Sequence, residues 1–238
     1  MSSHEGYQVL LIDLDGTVVD YARTEAAALA AVHTEFFRRY ASFPEFAAGF
    51  HTGNGALWAA YRRGDLSLDD LRVERFARVS ALLRAAVPLP ALVARFEAEL
   101  GRCATLFPDA RPALRSLRRL ARLILVTDGI AAVQHAKLSR CRLRRFFEQV
   151  VISSEVGYRK PQPALLERAL GRAGSSRALV VGDSEASDGA GADAAGLDFC
   201  WVNRAGRPTG AVPVRFQVPD LGALAGLLTC DGPVATVQ

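Results

Sequence analysis

Several residue types and patterns are scarce in this chain. Cys103, Cys141, Cys200 and Cys230 lie far apart and form no CxxC pair, which argues against both a structural zinc site and a disulfide framework and leaves free thiols as the expectation. Lysine is scarcer: of 29 Lys and Arg residues, lysine stands only at 137 and 160. No stretch reaches the roughly 18 uncharged apolar residues needed to span a bilayer. The N-terminal stretch MSSHEGYQVLLIDLDG carries no basic region ahead of a long apolar run, so the expectation is a cytoplasmic protein with no membrane partner. Neither charge nor Gly and Pro is in excess. With half of its residues hydrophobic and 23% charged, the composition is that of a soluble globular protein with a real core. At 238 residues the chain fits one large domain or a core with an inserted smaller unit.

The net charge of +4 is carried almost wholly by arginine. The clusters RPALRSLRRLAR and KLSRCRLRRFF raise the possibility of a nucleic-acid footprint. In the first, however, Arg111, Arg115, Arg118 and Arg122 recur beside Leu114, Leu117 and Ala121, the pattern of the solvated face of an amphipathic helix. No nucleic-acid partner is expected.

Short apolar runs recur at VLLID (9–13), LILVT (123–127), QVVIS (149–153), ALVVG (178–182) and DFCWV (198–202), with helical patterns between them. Such runs suit strands buried on both faces. Their alternation with helices predicts an α/β fold, a doubly wound parallel sheet with a Rossmann-like core and ligands at the carboxyl ends of the strands. Residues 19–90 contain no convincing strand. Helical patterns cover 24–40 and 54–63, and Ser67 with Asp70 forms a capping box before Leu71, Phe76, Val79 and Leu83. These residues are expected to form an inserted helical cap, with the core made of 1–18 and 91–238. Asp220 is the expected N-cap of a last helix from Leu221.

Asp13 and Asp15 sit two apart in DLDGT directly after the first strand, and Gly16 permits a bend that brings both carboxyl groups to one opening. Paired carboxylates there suit metal binding or nucleophile plus acid/base chemistry. LVTDG offers Thr127 and the backbone N–H groups of Asp128 and Gly129 to phosphoryl oxygens. GYRKPQP supplies Lys160 in a chain that otherwise meets its cationic needs with arginine. A compact ammonium neutralises crowded carboxylates and a phosphate oxygen where a planar guanidinium would not fit. VVGDSEASD ends another strand with Asp183 and Asp188, hard oxygen ligands suited to Mg²⁺.

In these four motifs, taken in order, the sequence resembles the haloacid dehalogenase superfamily of phosphohydrolases, and the insertion after DLDGT looks like that superfamily's first cap type. NGALWAAYRRGDLSLDDLRVERF and GADAAGLDFCWVN are similar to its bacterial pyrimidine 5′-nucleotidase branch. The chain departs at Asp128, where that branch commonly has asparagine. The resemblance implies Asp13 as the nucleophile that becomes an aspartyl-phosphate and Asp15 as the acid and then the base. It implies Thr127 and Lys160 as holders of the phosphoryl group. Mg²⁺ would be bound by the Asp13 carboxylate, the Asp15 backbone carbonyl and Asp183, with Asp188 in the same site. Thr17 and Ser184 would support them.

The expected activity is therefore hydrolysis of a small phosphate ester, a nucleoside 5′-monophosphate first. Alternatives are a sugar phosphate or biosynthetic intermediate, a phosphomutase, a haloacid dehalogenase, for which Asp15 and Asp183 would be superfluous, and last a nonenzymatic nucleic-acid-binding module. A monomer or a homodimer is equally compatible. In the cap, Asn54, Trp58 and Tyr61 can share one helical face. They form either cap core or a surface that stacks on a base through Trp58 and reads its edge through Asn54.

Overall fold

A computed structural model describes residues 6–171, 177–210 and 212–229; Cys230 lies outside them. The apolar runs form a six-stranded parallel sheet of β1 (Val9–Ile12), β2 (Arg122–Thr127), β3 (Gln149–Ile152), β4 (Ala178–Gly182), β5 (Asp198–Val202) and β6 (Phe216–Val218). The helices are α1 (Tyr21–Val32), α2 (Phe43–His51), α3 (Asn54–Arg63), α4 (Leu68–Leu82), α5 (Leu89–Arg102), α6 (Ala110–Leu120), α7 (Ala131–Arg140), the single-turn α8 (Ser153–Val156), α9 (Pro163–Leu170), α10 (Ala190–Ala194) and α11 (Leu221–Thr229).

Helices cover both faces of the sheet, so the strands need no polar alternation, and the two-residue period instead sorts apolar side chains between two cores. Leu10, Ile12, Leu123, Leu125, Leu179 and Val181 pack with α6 and α11. Val9, Leu11, Ile124, Val126 and Val180 pack with α9 and α10. Each such fully buried side chain contributes about 2 kcal/mol of transfer free energy. The strand order is β3-β2-β1-β4-β5-β6. The chain builds outward from β1 to β3, then returns to place β4 on the other side of β1, with Ile12 beside Val181. Connections therefore leave β1 and β4 in opposite directions, and a crevice opens at their carboxyl ends.

All five helices from α1 to α5 lie between β1 and β2, as the strandless stretch predicts. Asp20 caps α1 by accepting the Arg23 N–H at 3.0 Å, and a π-helical turn (His33–Phe37) takes over where a continuous helix to residue 40 was expected. The Ser67 hydroxyl accepts the Asp70 N–H at 3.0 Å and starts α4. Phe37, Phe46, Phe50, Phe76 and Phe96 form a buried aromatic cluster. Leu92, Phe96 and Leu100 of α5 belong to this cluster although they follow residue 90, where the cap is expected to end, because their apolar face meets α1 and α4 rather than the sheet. Three elements differ from expectation. The short strand β6 was not anticipated, nor was α2, and α1 begins three residues early. On α6, Ala113, Leu114 and Leu117 are buried while Arg115 and Arg118 face solvent. No helix among the described residues is long and apolar enough to cross a membrane.

Candidate active site

Asp13 follows β1 directly. Its N–H continues the pairing to the Val181 carbonyl at 2.9 Å, which fixes the carboxylate at the mouth of the crevice, and the side chain is buried. Gly16 then turns the chain at φ 91°. A Cβ there would sit 2.5 Å from the Asp183 carboxylate, so glycine is required both by the backbone and by the close approach of the loop after β4. Gly182, the last residue of β4, is equally constrained: a Cβ would fall 2.2 Å from Asp188 Cγ.

Lys160 reaches into this crevice from the loop before α9 and is 4% exposed. Its Nζ donates to Asp13 Oδ1 and to Asp188 Oδ1, each at 2.6 Å. Asp188 also accepts the Ser184 N–H at 3.2 Å, and the Thr17 hydroxyl donates to Asp183 Oδ1 at 3.3 Å. Oxygens of Asp13, Asp183 and Asp188 lie within 4.8 Å of one another. Two buried carboxylates and the half-buried Asp183 thus face one ammonium. Burial drives the Asp13 carboxyl well above the usual range against the pull of Lys160, and burial followed by the Asp188 charge pushes Asp183 up to about 6. Burial would lower the Lys160 ammonium, but the charges of Asp13, Asp188 and Asp128 hold it above its ordinary value. This surplus of negative charge on hard oxygen donors fits a divalent cation such as Mg²⁺.

The sequence reading brings Asp13, Asp15, Thr127, Asp128, Gly129 and Lys160 to one opening, and all six line a single cavity of about 250 Å³. Asp15 stands apart from the three clustered carboxylates. Its carboxylate is ion-paired to Lys137 Nζ at 2.6 and 2.8 Å and accepts from Gln134 Nε2 at 3.0 Å. Gln134 also bonds the Thr127 hydroxyl at 2.8 Å and the Asp128 carbonyl at 2.9 Å. Asp128 is half-buried, and loss of hydration pushes its carboxyl up to about 6; it accepts the Lys160 backbone N–H at 3.2 Å. The Gly129 N–H, expected to face a phosphoryl oxygen, instead donates to Ser153 Oγ at 3.0 Å. With φ at 134° the peptide turns toward the start of α8.

Lys137 and Gln134 were both missed. Lys137 had the same signal as Lys160, being the other lysine of an arginine-rich chain, and both lysines are buried beside a DLDGT carboxylate. Gln134 carries no motif.

In the cap, Trp58 lines the cavity together with Arg62, Arg72 and Arg75, but Asn54 and Tyr61 do not. Residues three apart are about 60° out of line on a helix. Tyr61 turns into a cluster with Leu57 and Leu71, against which Trp58 also packs with its ring centre 5.8 Å from that of Tyr61, and the Tyr61 ring lies 4.9 Å from the Arg159 guanidinium. Asn54, a full turn before Trp58 at the start of α3, has a buried Oδ1 with no partner among the described residues.

A family model described as haloacid dehalogenase-like hydrolase matches residues 7–196. The chain belongs to that family. Among its relatives, the pyrimidine 5′-nucleotidase YjjG of Escherichia coli is 36% identical over 180 residues, 74% of this chain and 79% of that one. The pyrimidine 5′-nucleotidase PynA of Streptococcus pneumoniae is 31% identical over 202 residues, 83% and 84% of the two chains. The magnesium-bound crystal structure of YfnB from Bacillus subtilis superposes with a TM-score of 0.86 at 25% identity, covering 95% of this hydrolase and all of YfnB.

Proposed function

We propose that this hydrolase is a Mg²⁺-dependent phosphatase that cleaves small phosphomonoesters, nucleoside 5′-monophosphates first among them, through an aspartyl-phosphate on Asp13. The observation that carries the reading is the pairing of two differently held carboxylates at one opening. Asp13 is locked by Lys160 beside Asp183 and Asp188, and Asp15 is carried separately by Lys137 and Gln134.

Asp13 attacks phosphorus in line with the departing oxygen, which leaves a phosphoryl group on its carboxylate. Lys160 and Thr127 hold the phosphoryl oxygens, and Lys160 offsets the charge that collects there. Asp15 protonates the leaving oxygen and then takes a proton from the water that hydrolyses the acyl phosphate. Its carboxyl must leave Lys137 for the first of these steps, so Lys137 and Gln134 define its resting position. Asp13, Asp183, Asp188 and the Asp15 carbonyl would hold Mg²⁺, which supplies charge neutralisation of the phosphate. Asp15 and the three clustered carboxylates favour phosphate chemistry over dehalogenation.

The α5 packing supports a cap running from about residue 19 to Cys103 rather than ending near residue 90. Trp58 offers its ring to a base, and the names of the nucleotidase relatives support that choice of leaving group. The reading sets the reaction in the cytoplasm. Free phosphate measured across nucleotides, sugar phosphates and short organic phosphates, with Mg²⁺ and with a chelator, tests it. Nucleoside monophosphates should lead with Mg²⁺, and activity that persists in chelator removes the metal from the account.

A further inference from the structure

One face of α4 meets the cavity through Leu68, Leu71, Arg72 and Arg75, and its two arginines are held in opposite ways. Arg72 is matched: it donates to both oxygens of Glu97 at 2.6 and 2.8 Å and to Asp69 at 2.7 Å. Arg75 is only 4% exposed, yet among the described residues it forms no ion pair, and its Nε has no hydrogen-bond partner. What surrounds it is aromatic. The guanidinium carbon lies 4.6 Å from the ring centre of Phe96, 5.5 Å from Phe76 and 5.8 Å from Phe50. Glu25, the nearby carboxylate, is itself engaged by the Tyr21 hydroxyl at 2.9 Å and lies 3.8 Å from His51.

Ring faces return only part of the hydration a guanidinium loses on burial. An apolar residue would fill the same place among the phenylalanines at less cost. Arg75 lines the cavity, and a guanidinium carries planar donors suited to an acceptor oxygen. The phosphoryl end of the cavity already has its own cation in Lys160, whereas Arg75 belongs to the cap wall. We propose that Arg75 is a specificity-determining residue that receives an acceptor oxygen of the leaving group, either a base carbonyl or a carboxylate. This rests on the phosphatase reading of the site.

The test compares wild type with Arg75→Met and Arg75→Lys on three esters with Mg²⁺. Uridine 5′-monophosphate carries base carbonyls, phosphoglycolate carries a carboxylate, and phenyl phosphate carries neither. For the ester that uses Arg75, Arg75→Met should lower kcat/KM relative to phenyl phosphate by about tenfold or more, chiefly through KM. Its unfolding temperature should be equal to or above that of wild type, since an apolar side chain replaces a buried unpaired charge. Arg75→Lys should recover part of the discrimination. Which ester suffers identifies the acceptor. Equal losses on all three esters with a lower unfolding temperature would make Arg75 a structural member of the aromatic cluster, and no loss on any would also overturn the proposal. Wild type that releases no phosphate from any of the three overturns the phosphatase reading itself, and the role of Arg75 with it.

Discussion

On the core side of the cavity each buried cation has its carboxylate, Lys160 with Asp13 and Asp188, and Lys137 with Asp15. On the cap side, among the described residues, Arg75 is buried without an ion-pair partner and the buried Asn54 Oδ1 has no hydrogen-bond partner. Core groups that complete one another are oriented before any substrate arrives, which is what transition-state stabilisation requires. Arg75, left incomplete at the cavity wall, is available to whatever enters. Substitutions on the core side should therefore damage the chemical step, to an extent set by the leaving oxygen and not by the rest of the ester, and those on the cap side should change which leaving group is preferred.

The largest expected effect is at Asp13. Asp13→Asn should cost about a thousandfold or more in kcat on every ester, because an amide does not form the acyl phosphate. A variant that retains more than about a hundredth of wild-type activity removes the nucleophile from the account. Next is Lys137→Met, which frees Asp15 from its resting ion pair. Here kcat on an alkyl phosphate should drop by about tenfold or more, and an activated aryl ester should lose less because its leaving oxygen needs less proton donation. Equal losses on the two esters would deny Lys137 any part in placing the acid.

A smaller and selective effect is expected from Trp58→Ala. The preference for a nucleotide over phenyl phosphate should fall several-fold, mainly in KM, whereas Tyr61→Phe should leave that preference alone, since Tyr61 packs against Arg159 and not the cavity. A preference unchanged in Trp58→Ala would erase the contrast between core and cap.

The smallest effect concerns stability and pH at Asp128. Its carboxyl titrates near 3.8 when free and about 6 when folded. The folded state thus binds the proton more tightly, and ionisation above about pH 4 weakens folding progressively until pH passes 6. Asp128→Asn removes that penalty while keeping an acceptor for the Lys160 N–H. It should raise the unfolding temperature by a few degrees at pH 8, from at most about 3 kcal/mol, and show little gain near pH 4. The same gain at both pH values would mean that the Asp128 charge is not what burdens the fold. Mg²⁺ should likewise stabilise most above pH 6, where Asp183 is ionised, and thermal melts from pH 5 to 8 with and without the ion measure it.

The two sides of the cavity also differed in how far the sequence exposed them. The floor was legible where its residues sit at strand ends: Asp13 follows β1, Thr127 closes β2 and Asp183 follows β4, at the ends of apolar runs that stand out in the chain. Lys137 and Gln134 lie on α7 with no neighbouring motif, and only the tertiary packing of α7 beside the DLDGT loop joins them to the site. The roof was poorly legible for a related reason. Asn54, Trp58 and Tyr61 satisfy a helical spacing, but spacing does not say which side of α3 lines the cavity, and here Trp58 and Arg62 do. Arg75 reads as an ordinary arginine on a charged helix until three phenylalanines from three helices close around it. β6 is three residues long, too short for its alternation of buried Phe216, exposed Gln217 and buried Val218 to register as a pattern. α2, by contrast, carries a readable start, with the Glu45 carboxylate accepting the Ser42 N–H at 2.8 Å.

The central claim is that Asp13 carries the phosphoryl group during turnover. A rapid acid quench of the protein mixed with Mg²⁺ and a phosphoryl-labelled phenyl phosphate, followed by peptide mapping, tests it directly. The account predicts acid-stable label on the peptide containing Asp13, more of it in Asp15→Asn because water attack on the acyl phosphate is slowed, and none in Asp13→Asn. Phosphate release by wild type with no labelled peptide, or label on any other residue, would contradict it.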